Sequence, residues 1–246
     1  MVELFKNILR LLWRIWFYVL FIGLVILFAP ILLIITARQK WYPLFFKIAS
    51  LWAQLMLVGT GFYIKKECIE KIEISKSYMF IANHSSILDI LLMLAVIKNP
   101  FVFVGKQELA KIPVFGFFYK RTCILVDRSN PKSKQKVFKA AQEKIDSGLS
   151  ICVFPEGMVP DDESVVLSDF KKGAFKLAID HKLAIVPLSF YDCKKHFSYT
   201  FFSGSPGRLR VKIHRFISTL NLGLNDVQLL KNQCFDLIYE DLKNQG

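Results

Sequence analysis

His84 and Asp89 stand five residues apart in the run Asn83-His84-Ser85-Ser86-Ile87-Leu88-Asp89. There an apolar stretch that reads as a strand (78–82) meets one that reads as a helix (87–97). An imidazole oriented by a carboxylate can take a proton from an alcohol near neutral pH. On one continuous helix, side chains five residues apart diverge by roughly 140° and do not meet easily. With His84 in the turn and Asp89 in the first helical turn, the two can face each other. A local explanation competes. Ser86 and Asp89 fit the N-cap and N3 positions of a capping box, which would leave His84 an incidental residue at a strand end. Such a pair alone arises often by chance. Its weight comes from three blocks that follow in order: Val126-Asp127-Arg128, Phe154-Pro155-Glu156-Gly157 and Ile185-Val186-Pro187.

Each block also has an ordinary reading. Asp127-Arg128 closes an apolar run (122–126) and fits an ion pair at the end of a strand. Lys106 follows Val104-Gly105 in a similar strand-end position. Proline and glycine around Glu156 are common turn chemistry. Lys171 and Lys172, in Phe170-Lys171-Lys172-Gly173, fit a solvated helix face. Val186-Pro187-Leu188 is apolar and either structural or acyl-facing. His181, His196 and His214 have no comparable carboxylate pattern and read as surface or core residues.

Taken together, the order and spacing over roughly residues 75 to 190 resemble the glycerolipid acyltransferases that acylate lysophosphatidic acid. The resemblance implies a general-base role for His84 and an orienting role for Asp89. His84 would deprotonate a glycerol hydroxyl, whose oxygen would attack an acyl thioester, so Ser85 and Ser86 need not be nucleophiles. A hydrolase would instead call for a Gly-x-Ser-x-Gly elbow, which this chain lacks at the motif. The resemblance assigns Arg128 to the substrate phosphate, a role suited to a planar guanidinium. It places Glu156 and Gly157 in the acceptor site, with Lys106 a further phosphate candidate. Many members continue the Phe-Pro-Glu-Gly motif with Thr-Arg-Ser, whereas this chain reads Met158-Val159-Pro160. The missing cation leaves the acceptor headgroup open, and Lys171 or Lys172 would have to compensate. Acyl-CoA or acyl carrier protein is implied as co-substrate, with no metal or prosthetic group. Another lysolipid, an aminolipid or glycerol-3-phosphate remains open as acceptor. A noncatalytic protein that binds anionic lipid is the reading from another class.

To hold these residues, the sequence must build strands and helices in alternation. Strands are expected over 78–82, 101–104, 122–126, 150–154, 184–190 and 208–216. Helices are expected over 87–97, 133–146, 169–180 and 226–243. Ser147-Gly148 marks the end of the second, and Ser168 and Asn225 are N-caps for the last two. The alternation indicates an α/β domain, a mixed sheet covered by helices.

The remainder of the chain points to a membrane. Of 246 residues, 53% are hydrophobic, and mean hydropathy is +0.37, high for a soluble globular protein. Charged residues still make up 22%, too many for a polytopic membrane protein. The net charge of +13 suits anionic lipid, and no nucleic-acid motif is evident. The segment 15–37 carries no charge and is long enough to cross a bilayer core of roughly 30 Å as a helix. No signal-peptide cleavage site is evident, so its retention is expected. Lys6, Arg10 and Arg14 precede it, and Arg38, Lys40 and Lys47 follow. A single span should be basic on one side. Symmetric flanks favour a shallow hairpin with both ends in anionic cytoplasmic lipid, completed by the aromatic segment 41–62 and bent or broken at Pro30. One transmembrane anchor is the alternative. The division expected is therefore membrane-anchoring helices over 1–62 and an acyltransferase α/β domain over 63–246, on the cytoplasmic face. Cys68, Cys123, Cys152, Cys193 and Cys234 are odd in number and form no Cys-x-x-Cys pair, which fits reduced thiols of a cytosolic domain.

Overall fold

The computed structural model describes residues 1–112, 115–127, 133–160, 162, 164–200 and 202–245, without the side chains of 133 and 134. The chain forms α1 (Val2–Ile35), α2 (Tyr42–Gly59), β1 (Phe62–Cys68), β2 (Met79–Ala82), α3 (Leu88–Val96), β3 (Phe101–Lys106), α4 (Phe115–Thr122) and β4 (Ile124–Val126). It continues with α5 (Ser133–Asp146), β5 (Ser150–Val153), α6 (Gly173–Asp180), β6 (Ile185–Phe190), α7 (Cys193–His196), β7 (Gly207–Ile213) and α8 (Val227–Gln245). Two compact units emerge. The first comprises Met1–Glu67, Ser85–Lys98 and Phe190–Val211. The second comprises Cys68–His84, Asn99–Ser189 and Lys212–Gly246.

In the second unit, parallel strands run in the order β6-β2-β5-β3-β4. Every residue of β2 and β6 is buried. Such continuous apolar runs belong to central parallel strands covered on both faces, so they show no alternation. Beside β6 the chain returns antiparallel, with Ile185 bridging Ile217 and the His214 amide donating to Pro187 O at 3.0 Å. The sheet is thus mixed, as the sequence indicated. Helix α5 packs against β4 and β5 and stops where expected. Gly148 adopts φ +77° and donates to Ile145 O at 2.8 Å, while the Leu149 amide reaches Lys144 O at 3.0 Å. Helix α8 packs on α6 and is pinned by Lys212 Nζ to Asp241 Oδ1 at 2.9 Å. Ser189 Oγ and Asp241 Oδ2 both address His214 Nε2, at 2.8 and 3.3 Å. This set superficially resembles a nucleophile triad. Both partners meet the same imidazole nitrogen, however, and Ser189 is fully buried, so it is a polar network within the core.

In the first unit, α1 and α2 are antiparallel neighbours. Trp13 Nε1 donates to Thr60 O at 3.0 Å, Trp16 Nε1 donates to Gly59 O at 2.8 Å, and Phe21 meets Trp52 edge-on at 5.3 Å. The helices approach closely because position 59 is glycine. A Cβ there would lie 2.6 Å from Leu20 Cδ2. Helix α3 packs on α2 and is buried at nearly every position. β1 runs beside β7, with the Gly207 amide donating to Gly61 O at 3.2 Å. Residues Val2–Ile35 and Gln39–Gly59 are long and apolar enough to cross a membrane. Pro30 lies inside α1, which continues to Ile35.

Arg14 departs from the sequence reading. It was counted among the lipid-facing basic flanks, yet it is 8% exposed. Its guanidinium donates to Ser203 O at 3.0 Å, Ser198 O at 2.5 Å and Ser203 Oγ at 3.1 Å. It also sits 4.8 Å from the Phe197 ring centroid. The forked donor geometry of arginine satisfies several carbonyls at once, which makes burial of the charge tolerable. Phe17, fully buried, lies tilted against the same Phe197 ring, with centroids 4.4 Å apart and planes at 37°.

Candidate active site

The parallel strands of the second unit end together at one edge, the usual place for a ligand in such sheets. Ile81 pairs with Val153, Phe103 with Cys152, and Lys106 with Val126. Extending the registers brings His84, Glu156 and Lys106 onto the same edge, with Asp127 one residue beyond β4. The His84 ring lies flat on Phe154, with centroids 4.3 Å apart and planes at 17°. Phe154 in turn stacks over Phe103 at 6.0 Å. An imidazole held face-on to an aromatic ring keeps its nitrogens at the ring edge, available for hydrogen bonds.

Phe154-Pro155-Glu156-Gly157 is a turn, closed by the Gly157 amide on Phe154 O at 3.0 Å. Proline suits its second position, and Gly157 adopts φ +83°, where a side chain would be strained. The Glu156 carboxylate is 4% exposed. Its Oε1 accepts the His84 amide at 2.6 Å and its Oε2 accepts the Ser168 amide at 2.8 Å. The Lys171 amide donates to Pro155 O at 2.9 Å, tying the segment before α6 to the same turn. The helix expected from 169 starts only at Gly173, and the stretch before it is bound to the Phe-Pro-Glu-Gly turn, the Ser168 amide on Glu156 and the Lys171 amide on Pro155. Lys171 and Lys172 are therefore exposed residues just ahead of the helix. Lys106 is half-buried at the end of β3, level with Val126. Arg128 lies outside the described residues.

Asp89 belongs to the first unit and is fully buried. Its Oδ2 accepts the Ser85 amide at 2.5 Å and the Ser86 amide at 2.8 Å. Ser86 Oγ accepts the Leu88 amide at 3.2 Å and donates to Phe197 O at 2.6 Å. Only half of the expected capping box forms: Asp89 Oδ2 takes the Ser86 amide, whereas Ser86 Oγ takes the Leu88 amide instead of that of Asp89, and the helix starts after Ile87. The fully buried Cys193 thiol hydrogen-bonds the Asp89 carboxylate. Burial first, and then the Asp89 charge, hold that thiol well above its ordinary range, so it stays a donor.

Sequence reasoning missed the stacking role of Phe154, the bridge made by Glu156 and the thiol on Asp89. The first two lie inside a motif already singled out. Cys193 carried no signal at all. The other histidines are structural in their surroundings: His196 Nδ1 meets Ser205 O at 2.9 Å, and His181 lies against the Phe138 ring at 4.4 Å.

Residues 63–191 match the model of a protein family described as acyltransferase. A chloroplast 1-acyl-sn-glycerol-3-phosphate acyltransferase of Arabidopsis thaliana is 32% identical over 171 residues, 68% of this chain and 46% of that protein. The human 1-acyl-sn-glycerol-3-phosphate acyltransferase beta is 29% identical over 172 residues, 67% of this chain and 59% of that protein. The chain thus spans about half the length of these relatives. The crystal structure of a 1-acyl-sn-glycerophosphate acyltransferase from Thermotoga maritima superposes with a TM-score of 0.79 at 21% identity, covering 98% of this chain and 97% of that one. The two chains share a fold.

Proposed function

Since the chain belongs to the acyltransferase family, we propose that it moves a fatty acyl group from an acyl thioester to the sn-2 hydroxyl of 1-acylglycerol-3-phosphate. The product is phosphatidic acid, and the donor is acyl-CoA or acyl carrier protein. The observation that carries this reading is the setting of His84. Its ring is stacked on the phenylalanine of the Phe-Pro-Glu-Gly turn and its amide is held by the glutamate of that turn, at the ligand-binding edge of a parallel sheet. His84 takes the acceptor hydroxyl proton as that oxygen attacks the thioester carbonyl carbon. The tetrahedral oxyanion collapses, the C–S bond breaks, and the imidazolium returns its proton to the departing thiolate. Asp89 orients and stabilises the imidazolium. Each step moves protons and an acyl group only, so the reaction calls on no metal or prosthetic group.

Lys106, Lys171 or Lys172, together with Arg128, supply positive charge for the acceptor phosphate, and Gly157 shapes the turn beside it. Residues 1–62 anchor the protein in a membrane, and residues 63–246 carry the catalysis on its cytoplasmic face. The antiparallel pairing of α1 with α2 favours a hairpin over a single span. A different acceptor is the second reading, favoured by Met158-Val159-Pro160 in place of the Thr-Arg-Ser that continues this motif in many members of the resembled family. The test is thiol release from acyl-CoA and acyl carrier protein by the purified full chain, with a panel of acceptors. Release that depends on lysophosphatidate is the expected result. Release with another lysolipid alone would select the second reading, and none with any acceptor would refute both.

A further inference from the structure

We propose that Glu156 is a positioning residue for His84 and not a ligand of the acceptor, a refinement that rests on the acyltransfer reading above. The argument begins with where its carboxylate points. Both oxygens accept backbone amides, Oε1 from His84 at 2.6 Å and Oε2 from Ser168 at 2.8 Å. The residue is 4% exposed, so no headgroup can approach those oxygens without displacing the bridge. Electrostatics points the same way. A carboxylate beside a phosphate dianion raises its energy, whereas an anion bound to two amides is stabilised by charge-assisted hydrogen bonds.

The bridge joins two segments far apart in sequence. One is the turn after β2 that presents His84. The other is the stretch from Ser168 to Lys172, which a second bond, Lys171 amide to Pro155 O at 2.9 Å, also ties to the Phe-Pro-Glu-Gly turn. The same turn supplies Phe154, on whose face the His84 ring lies. One four-residue turn therefore fixes the general base twice, through its backbone and through its ring. Loss of the bridge frees the His84 backbone to shift while leaving the cations of the phosphate site in the sequence. The kinetic consequence differs from that of a lost ligand. Displacement of a reacting group by about 1 Å costs on the order of 10²-fold in turnover. A lost acceptor contact instead appears in KM.

The experiment is Glu156→Gln in the full chain, with kcat and KM measured on whichever acceptor the wild-type protein turns over. Glutamine keeps one acceptor oxygen and presents an NH2 group to the other amide, so only half the bridge survives. The expected result is a fall in kcat of roughly 10²-fold with the acceptor KM changed less than about threefold. A preserved kcat with a raised acceptor KM would overturn the proposal in favour of a substrate contact. Hydrogen–deuterium exchange on the unmodified protein covers the case in which the variant does not fold. The His84 and Ser168 amides should be strongly protected, and saturating lysophosphatidate without donor should leave that protection unchanged. Fast exchange at both amides, or exchange altered by the acceptor, would sink the bridge. If the wild-type protein turns over no acceptor, the acyltransfer reading fails, while amide protection still decides the role of Glu156.

Discussion

Replacing Asp89 with asparagine separates the structural job of its carboxylate from the chemical one proposed for it. Oδ2 accepts the Ser85 and Ser86 amides at 2.5 and 2.8 Å, and the Cys193 thiol donates to the same group. Asparagine retains one carbonyl oxygen, so both amide bonds survive without the charge. A hydrogen bond to a charged group contributes about 1.5–3 kcal/mol and a neutral one about 0.5–1.5. Losing about 1 kcal/mol at each of two bonds gives a structural cost of about 2 kcal/mol. For a chain of this size that lowers the melting temperature by about 4–8 °C. The chemical cost is separate: a general base without its orienting anion loses about 10²-fold or more in rate. The reference is His84→Ala, which forfeits a ring stack of about 0.5–1.5 kcal/mol but should lose 10²- to 10⁴-fold in turnover. The assay pairs thiol release with thermal unfolding in the same detergent. If Asp89→Asn melts lower but keeps more than about a tenth of wild-type kcat, Asp89 is a cap alone and the mechanism is wrong.

Neutralising Lys106, or Lys171 and Lys172 together, should raise KM for lysophosphatidate about fivefold, the effect of losing about 1 kcal/mol of exposed charge pairing, with donor KM little changed. An unaltered acceptor KM in both variants would remove these lysines from the phosphate site. Arg14→Met should destabilise the chain by about 1–3 kcal/mol by orphaning the Ser198 and Ser203 carbonyls. Its flotation with anionic vesicles should match wild type, since Arg14 faces protein, and weaker flotation would contradict that placement. His181 is held below its ordinary value by burial, partly offset by the charges of Asp180 and Asp146. Its neutral form is favoured in the fold, so its contribution is present above about pH 6.5 and is lost as pH falls below that. His181→Gln should flatten the loss of melting temperature between about pH 7 and 5, and an unchanged slope would show that another group titrates there.

The legible parts of the chain were those where one physical signal dominates. The buried strands β2, β5 and β6 announce themselves as unbroken apolar runs, and α5 as a charged helix ended by Ser147-Gly148. β1 was missed because an edge strand facing water carries Lys65, Lys66 and Glu67 where a core strand carries valine. Helix α4 was missed because Phe115-Gly116-Phe117-Phe118-Tyr119 is rich in residues that favour strands, and tertiary context overrides that preference. Pro30 was expected to break or bend the apolar helix, yet α1 continues past it to Ile35. A proline forfeits one backbone hydrogen bond, and apolar helices absorb that loss. At the site, residue types suggested a chemistry but not the supports around His84 and Asp89. Nothing in the letters Glu156 or Cys193 says that one grips two amides and the other a carboxylate. Such roles depend on which segments the fold brings together, information absent from local spacing.

Phe197 gives the first unit an alignment that reaches beyond its packing. Its ring takes Phe17 on one side and the Arg14 guanidinium nearby, while its carbonyl accepts Ser86 Oγ, one turn from Asp89. Beyond Phe17, α1 runs about 27 Å to Ile35 at roughly 1.5 Å per residue, close to the thickness of a bilayer core. The carboxylate is thereby tied, through Ser86 and Phe197, to α1, the helix proposed to meet the lipid. A thinner or thicker bilayer would tilt the whole unit or change how far a lysolipid must rise to meet it. The spacing between Asp89 and its own cradle would stay the same.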